Sequence, residues 1–359
     1  MLENQHETFG DWPLKRLLTD VVGTGVKSAA DMNREQSIEA LERILAGEPD
    51  PTTLGAFWLA NRWKRNTPEE LAGFLDVMLE RTETIEPSCS PVDCGANYDG
   101  KAETAILGVA AGAVAAGAGT PVVVHGGEKV PSQKAPAYKD VLDELGVETE
   151  LSPAESARMV DETGFGFYFQ PSFNPAVDGL YSRREEMGVR TFINTIETLA
   201  NPAGASVHLG SFYHLTFAEK LIETLRESER SAFERAILFQ GMEGYDDIRP
   251  GYTKVAEWAD DGVLDDVTND YEIETAELGM DIEYEDLAVD EVAADSAAVT
   301  EEVLTGERTD RFRDAVLLNG AFRIYAGGDA ATFEEGLDIA KKSIERGRAA
   351  AVLEELRAF

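Results

Sequence analysis

Apolar residues at helical spacing dominate the beginning of the chain. Helix starts with a polar cap or an N-terminal proline lie at Asn33, Pro51 and Thr67-Pro68. The predicted helices carry the apolar residues Ile38, Leu41, Ile44, Leu45, Phe57, Trp58, Leu59, Trp63, Leu71, Phe74, Leu75, Met78 and Leu79. The pattern predicts a small, all-helical N-terminal domain over residues 1–85.

From about residue 86 the pattern changes to short apolar runs that alternate with helical segments. The predicted strands are Pro121–Val124, Gly166–Phe169, Ser206–Gly210 and Ala236–Gln240. The predicted helices are 104–118, Tyr138–Leu145, Phe217–Arg226 and Arg311–Tyr325. Alternating strands and helices are typical of α/β folds. We therefore predict a larger domain over residues 86–359, with a mostly parallel central sheet flanked by helices.

Three segments depart from this alternation. Residues 175–203 lack strand character, and we expect them to pack on the helical domain. The acidic stretch 257–302 is expected to form surface excursions with little core. Residues 332–359 are expected to form one amphipathic helix or a broken pair.

The charge of the chain is strongly negative. It has 68 acidic and 32 basic residues, a formal charge of −36, and 11 of the basic residues are lysines. Such a surface suits a salt-rich cytoplasm, where self-repulsion is screened over about 3 Å at 1 M salt. Because no basic stripe is visible, the charge argues against a general nucleic-acid scaffold. We predict a halophilic, cytoplasmic protein.

Cysteine usage and hydropathy indicate whether the chain has disulfides, a zinc site or a membrane span. Cys89 and Cys94 lie in what reads as a loop, and without a matching pair at zinc spacing we expect free thiols. Residues 105–124 carry no charge, yet their small side chains favour a buried helix and strand over a membrane span. The beginning of the chain lacks a basic and apolar leader, so no signal peptide is expected.

Asp246 and Asp247 are the leading candidates for metal binding. They follow a predicted buried strand, and ligands bind at the carboxyl ends of strands in open α/β sheets. Adjacent carboxylates suit Mg²⁺ with a substrate phosphate, although an acidic turn explains the pair equally simply. His208 and His214 are read as polar residues at a strand end rather than as zinc ligands.

Four blocks together resemble the anthranilate phosphoribosyltransferase family, whose helical domain is shared more loosely with pyrimidine nucleoside phosphorylases. The blocks are residues 46–74, with Ala46-Gly47-Glu48-Pro49 and Thr67-Pro68-Glu69-Glu70; 184–194 followed by Asn201-Pro202-Ala203; 240–248; and 313–321. The resemblance extends from about residue 30 to 359. It implies the same two-domain α/β fold and a homodimer.

The resemblance also implies an activity, a step of tryptophan biosynthesis. Phosphoribosyl pyrophosphate bound with Mg²⁺ would give its phosphoribosyl group to an aromatic or related amine. The implied metal ligands are Asp246 and Asp247, and no catalytic residue is assigned. The implied substrate-binding residues are Arg184, His125, Gly126 and Asn174. The implied phosphate-binding residues are Gly95, Asp99, Gly100, Lys101, Thr104 and Lys129.

The chain departs from the family pattern at three places. The family's glycine-rich phosphate loop is replaced by residues 93–101, which keep one loop glycine. Val124-His125-Gly126-Gly127 stands for Lys-His-Gly-Asn, and Glu197-Thr198 stands for Gly-Pro. Such changes are typical of a divergent branch, and a shared fold does not carry function through an altered site. A relative that binds nucleic acid or a phosphorylated ligand without catalysis therefore stays an alternative.

Overall fold

A computed structural model describes residues 9–23, 25–96, 98–128, 135–212, 214–259 and 269–359. The chain begins with the helices of the N-terminal domain. Asn33 and Thr67 each form a reciprocal capping box, and Asp50 caps a helix that has proline at its first position. The helices are α1 (Leu14–Leu17), α2 (Arg34–Leu45), α3 (Pro51–Lys64) and α4 (Pro68–Glu80).

The larger domain is built on a seven-stranded sheet with the order β3-β2-β1-β4-β5-β6-β7. Strands β1 to β5 are parallel, and β6 and β7 are antiparallel at one edge. The strands are β1 (Val92–Gly95), β2 (Val122–Gly126), β3 (Phe165–Phe169), β4 (Val207–Phe212), β5 (Arg235–Gln240), β6 (Tyr252–Ala259) and β7 (Asn269–Glu274). The predicted fold class is confirmed.

Helices cover both faces of this sheet. They are α5 (Gly108–Ala118), α6 (Tyr138–Glu144), α7 (Pro153–Thr163), α8 (Gln170–Phe173), α9 (Pro175–Asp178), α10 (Tyr181–Met187), α11 (Ile193–Ile196), α12 (Leu215–Glu227), α13 (Val292–Leu304), α14 (Arg311–Ala326), α15 (Phe333–Glu345) and α16 (Arg348–Ala358). Small residues let α5 approach its neighbours closely. A Cβ added at Gly112 would lie 2.3 Å from the Phe165 ring.

Two hydrophobic cores lie on opposite faces of the sheet. One contains α5 and the C-terminal helices. The other joins the helical domain to the sheet and to the segment 175–203, where Phe192 stacks on Phe74 with ring centroids 4.0 Å apart. This contact agrees with the packing expected for that segment, and the domain boundaries themselves stay a prediction.

Two expectations about local structure were wrong. The cysteine-containing segment is not all loop, because 92–95 form the central strand β1, whose polar Asp93 pairs with buried His208. The acidic stretch 257–302 contains β7 and α13, and α13 buries an apolar face that includes Val303.

The expectations about the thiols and the end of the chain agree with the structure. Cys89 and Cys94 are free thiols, and burial raises the pKa of Cys94 to about 12. The end of the chain forms the broken helix pair α15 and α16. Within the described residues, no helix is both long and apolar enough to cross a membrane.

Candidate functional site

The candidate site residues gather where the parallel strands end. Strands β1, β2, β4 and β5 run in the same direction, so their carboxyl ends share one edge of the sheet. The segments that follow β1 and β5 contribute Asp99 and Gly244, and the end of β4 contributes Ser211, to one cleft beside the helical domain. This is the position where open α/β sheets bind ligands.

The cleft has a volume of about 630 Å³ and lies between the two domains. The helical side and the segment 190–198 supply Asn61, Arg62, Arg65, Asn66, Leu71, Arg190, Thr191, Phe192, Asn194, Thr195 and Thr198. The sheet side supplies Asp99, Ser211, Phe212, His214, Thr216, Phe217, Lys220, Leu221 and Gly244. Cationic and aromatic side chains therefore share one cavity of the size that small-molecule sites have.

Positive charge converges on this cleft in an otherwise acidic protein. Burial lowers the pKa of Lys220, and the neighbouring cations Arg65 and Lys64 lower it further. Arg65 has a φ of +64°, a strained conformation for a residue other than glycine. Arg190 pairs with Asp99. Mutually repelling cations beside a cavity are typical of an anion-binding site.

The predicted metal ligands lie next to this cleft but are fully buried. Asp246 Oδ2 accepts hydrogen bonds from Arg323 Nη2 at 2.8 Å and from the Tyr138 hydroxyl. Asp247 Oδ2 accepts from Lys101 Nζ at 2.8 Å. Burial raises the pKa of Asp246; Arg323 opposes this rise, and the like charge of Asp247 adds to it.

As arranged, the carboxylate pair does not fit Mg²⁺. This ion prefers six oxygen ligands and keeps several waters, which requires an open side. Asp246 and Asp247 have no exposed surface, and each already pairs with a buried cation. In the described parts of the chain, no group of three or more His, Cys, Asp or Glu side chains is placed to hold a metal ion.

The predicted phosphate-binding loop after β1 is closed by a neighbouring carboxylate. Glu243 Oε2 accepts from the backbone N–H groups of Ala102 and Glu103 at 2.9 and 3.3 Å. Glu243 Oε1 accepts from the Thr104 N–H at 2.9 Å and from its hydroxyl at 2.6 Å. Gly100, with a φ of +74°, makes the preceding turn, where an added Cβ would lie 2.0 Å from the carbonyl oxygen of Pro136.

Arg184, the predicted substrate-binding arginine, is also internally paired. Its Nη1 and Nη2 donate to the Glu197 carboxylate at 2.8 and 2.7 Å, and both side chains are buried. Asn174 caps α9 and donates to Thr82 at 2.9 Å, which ties the sheet domain to the end of α4. The structure therefore gives both residues structural partners outside the cleft lining.

His125 likewise lies beneath the cleft, in a buried polar chain. The hydroxyl of Tyr98 and His125 Nδ1 are 2.5 Å apart. His125 Nε2 lies 3.4 Å from Asp93 Oδ1, within ion-pair reach but outside hydrogen-bond geometry. His208 Nδ1 bonds the other oxygen of Asp93 at 2.8 Å. His208 therefore pairs with Asp93, while His214 lines the cleft.

The predicted glycines serve packing at the strand ends. A Cβ on Gly95 would lie 2.2 Å from the carbonyl oxygen of Thr198, and Gly126 ends β2 beside Phe167. Of the remaining predicted residues, Asp99 lines the cleft and Lys129 falls outside the described residues. The individual site assignments stay predictions.

The sequence interpretation missed the cations of the cleft. Arg62 and Arg65 lie at the end of α3, whereas Lys220 lies far along the chain in α12, and no motif joins them. The buried partners Glu197, Glu243 and Arg323 were missed as well. Arg323 had a readable signal, because a charged residue inside the apolar run 321–326 is rarely buried without a partner.

Comparison with known proteins identifies the family. Residues 22–82 match the model of the helical bundle domain of a glycosyl transferase family, and residues 94–350 match its a/b domain. The anthranilate phosphoribosyltransferase of Methanocorpusculum labreanum is 35% identical over 92% of this chain and 95% of its own length. That of Natronomonas pharaonis is 32% identical over 93% and 97%.

Solved structures agree with this assignment. The anthranilate phosphoribosyltransferase of Thermus thermophilus is 28% identical, with a TM-score of 0.78, over 91% of this chain and 95% of that one. The Saccharomyces cerevisiae enzyme in complex with phosphoribosyl pyrophosphate and Mg shares the fold at 19% identity, with a TM-score of 0.74 over 90% and 91%.

These comparisons confirm the predicted resemblance and the predicted class of enzyme, an anthranilate phosphoribosyltransferase-like glycosyltransferase. The chain belongs to the glycosyl transferase family that combines this helical bundle with this a/b domain.

Proposed function

We propose that this protein transfers the phosphoribosyl group of phosphoribosyl pyrophosphate to an amine, and that both substrates meet in the cleft between the domains. The observation that carries the proposal is the convergence of Arg62, Arg65, Arg190 and Lys220 on a cavity that also presents aromatic rings. Cationic side chains can bind the phosphate groups, and aromatic rings can pack against a flat amine.

The reaction requires little covalent participation by the protein. The amine nitrogen attacks C1 of the ribose, the bond from C1 to pyrophosphate oxygen breaks, and pyrophosphate leaves with the electron pair. The nitrogen then loses a proton. Positioning of the two substrates and fixed positive charge on the leaving group supply the rate enhancement. In the cleft, Arg65 and Lys220 would stabilise that leaving group.

The acceptor side of the cleft is aromatic. Phe192, Phe212 and Phe217 line it, and Phe217 is 36% exposed. Because Glu197 already neutralises the charge of Arg184, this arginine is not available to pair with a carboxylate of the acceptor. We therefore propose an aromatic amine that does not depend on Arg184 for recognition.

Magnesium use, a homodimer and a salt-rich cytoplasm are part of the same proposal. Divalent cations bind the phosphates of substrates as well as protein carboxylates, so a magnesium requirement of the donor is compatible with a protein that does not hold the ion itself. Light scattering in molar KCl tests the dimer, which is expected at twice the chain mass of 39.1 kDa.

Calorimetric titration of phosphoribosyl pyrophosphate in molar KCl tests the donor site. Wild-type protein should bind, and Lys220→Met should lose most of the affinity because a half-buried cation of the cleft is removed. Lys254→Met is the matched control, since Lys254 on β6 pairs with Glu272 on β7, outside the cleft lining. Failure of the wild type to bind would reject the proposal.

The alternative reading has a parallel test. Titration of a single-stranded oligonucleotide, at the lowest KCl concentration at which the protein stays folded, should give no binding, since few phosphates fit the cleft and the acidic surface repels the rest. Binding of the oligonucleotide without binding of phosphoribosyl pyrophosphate would favour the nucleic-acid alternative.

A further inference from the structure

Two loops at the sheet edge neutralise each other's charges. The loop after β1 contributes Lys101, and the loop after β5 contributes Asp247, whose carboxylate lies 2.8 Å from the lysine ammonium. Asp246 makes the equivalent pair with Arg323, also at 2.8 Å. All four side chains are 0% exposed. Two carboxylates thus face two cations in a site closed to solvent.

A divalent ion would upset this balance. The four groups sum to no net charge, so adding a doubly charged cation would leave excess positive charge buried in a medium that penalises it. Asp246 Oδ1 and Asp247 Oδ1 have no hydrogen-bond partner among the described residues. These oxygens are where a metal would bind if the cations were removed.

The two cations cannot readily swing away. Lys101 Nζ also donates to the carbonyl oxygen of Ala105 at 2.6 Å. The backbone N–H of Lys101 donates to the carbonyl oxygen of Pro136 at 3.0 Å. Arg323 lies inside α14, where its Nη1 donates to the Asn319 carbonyl at 3.1 Å. The fold therefore fixes both cations against the carboxylates.

The second element of this arrangement is the carboxylate of Glu243. Successive backbone N–H groups that converge on one point form a nest for an anion, and residues 102–104 make such a nest. Glu243 fills it with four hydrogen bonds, from Ala102, Glu103 and Thr104. Glu243 has a φ of +54°, and such strain persists where the surrounding structure imposes it.

We propose that the protein's own side chains occupy both the metal place and one phosphate place at this edge of the sheet. Lys101 and Arg323 stand in for a divalent cation beside Asp246 and Asp247. Glu243 stands in for a phosphate on the 102–104 nest. Metal and inorganic phosphate are sufficient probes, so failure of the proposed function leaves this inference standing.

The metal place is tested by removing its internal cation. Thermal unfolding in molar KCl is compared in EDTA and in Mn²⁺ for the wild type, Lys101→Met, the double variant Lys101→Met with Asp247→Asn, and Lys139→Met. Lys139 is the matched control because it pairs with Asp143 outside this site. Mn²⁺ should raise the Tm of Lys101→Met alone.

The response of the wild type decides the outcome even if Lys101→Met fails to fold. Electron paramagnetic resonance should detect no Mn²⁺ bound at Asp247 in the wild type. The Mn²⁺ spectra of the wild type and of Asp247→Asn should therefore be the same. A wild-type Mn²⁺ site lost in Asp247→Asn would overturn the proposal. A folded Lys101→Met protein that gains no Mn²⁺ site would overturn it as well.

The phosphate place is tested by emptying the nest. In the Lys220→Met background, which weakens the cleft, Glu243→Ala should gain binding of inorganic phosphate and a shift of the Thr104 amide resonance on titration. Glu272→Ala, on exposed β7, is the control. If the alanine variant unfolds, Glu243→Gln is used in its place. This variant keeps an acceptor oxygen, so its gain in phosphate binding should be smaller. Phosphate binding that shifts Thr104 equally with Glu243 present would contradict the proposal.

Discussion

Arg184 and Glu197 form a buried, two-pronged ion pair, with N–O distances of 2.8 and 2.7 Å. Arg184 is the residue to which the family resemblance assigns the recognition of an acidic substrate. Glu197 stands where the family pattern has glycine, so the sequence departure and the internal pairing describe one change. The chain supplies from within the carboxylate that a substrate would otherwise bring.

Breaking this pair should be costly. Glu197→Ala leaves a buried guanidinium without its partner, and we expect a loss of about 3–5 kcal/mol of unfolding free energy. The neighbouring pair of Arg183 with Glu186 is exposed, so Arg183→Ala should cost less than about 1 kcal/mol. Urea unfolding in constant KCl measures both. Equal losses in the two variants would contradict the assignment.

The same variant has a binding consequence. Glu197→Ala removes the internal carboxylate and vacates its space beside Arg184, so it should allow Arg184 to bind a small aromatic carboxylate such as benzoate. Calorimetry of benzoate with wild type and variant checks this. Wild-type binding as strong as that of the variant would show that Glu197 does not block Arg184.

Asp93 predicts a pH-dependent contribution to stability. Burial alone would raise its pKa, but His125 and His208 outweigh burial and lower the pKa to about 2. Because the folded pKa lies below the unfolded value of about 3.9, Asp93 stabilises the protein above that pH, and this contribution is lost as the pH falls towards 2. The shift corresponds to about 2–3 kcal/mol. Asp93→Asn should flatten the dependence of unfolding free energy on pH between these values, and an unchanged slope would refute the assignment.

The aromatic contact between the segment 175–203 and the helical domain should carry much of their cohesion. Phe192→Ala removes a ring that is 4% exposed and stacked on Phe74, and we expect a loss of about 3–5 kcal/mol. Trp63→Ala changes a larger but 71% exposed side chain and should alter stability by about 0.5 kcal/mol or less. Denaturant unfolding of the pair tests whether burial, rather than size, sets the cost.

High salt should stabilise the protein. A formal charge of −36 destabilises the compact state by self-repulsion, and ions screen that repulsion. The Tm should therefore rise steadily with KCl concentration. A Tm independent of KCl would remove the support for a halophilic origin.

The sequence predicted the fold better than the site. Parallel strands such as β2, β3 and β5 are apolar and buried, so their pattern is readable. The pattern of strand β1 is not readable, because the polar Asp93 interrupts it. In the folded protein, Asp93 is buried together with its hydrogen-bond partner His208. The acidic β7 also has no apolar run, since it lies at the outer edge of the sheet.

At the site, the sequence identified positions but not partners. Asp246, Asp247 and Thr104 lie at or beside the predicted edge, yet each is paired with a residue distant in the chain. Asp247 and Lys101 are 146 positions apart, and Thr104 and Glu243 are 139 apart. Such pairings depend on how the loops after β1 and β5 approach each other, which local pattern does not encode.

A crystal structure of the protein grown with phosphoribosyl pyrophosphate and Mn²⁺ would test the internal occupation of the metal and phosphate places most directly, because anomalous scattering locates the metal. We predict phosphate density in the cleft between Arg65, Arg190 and Lys220, with Lys101 still paired to Asp247. Pyrophosphate and Mn²⁺ bound against Asp246 and Asp247, with Lys101 and Glu243 displaced, would contradict this prediction.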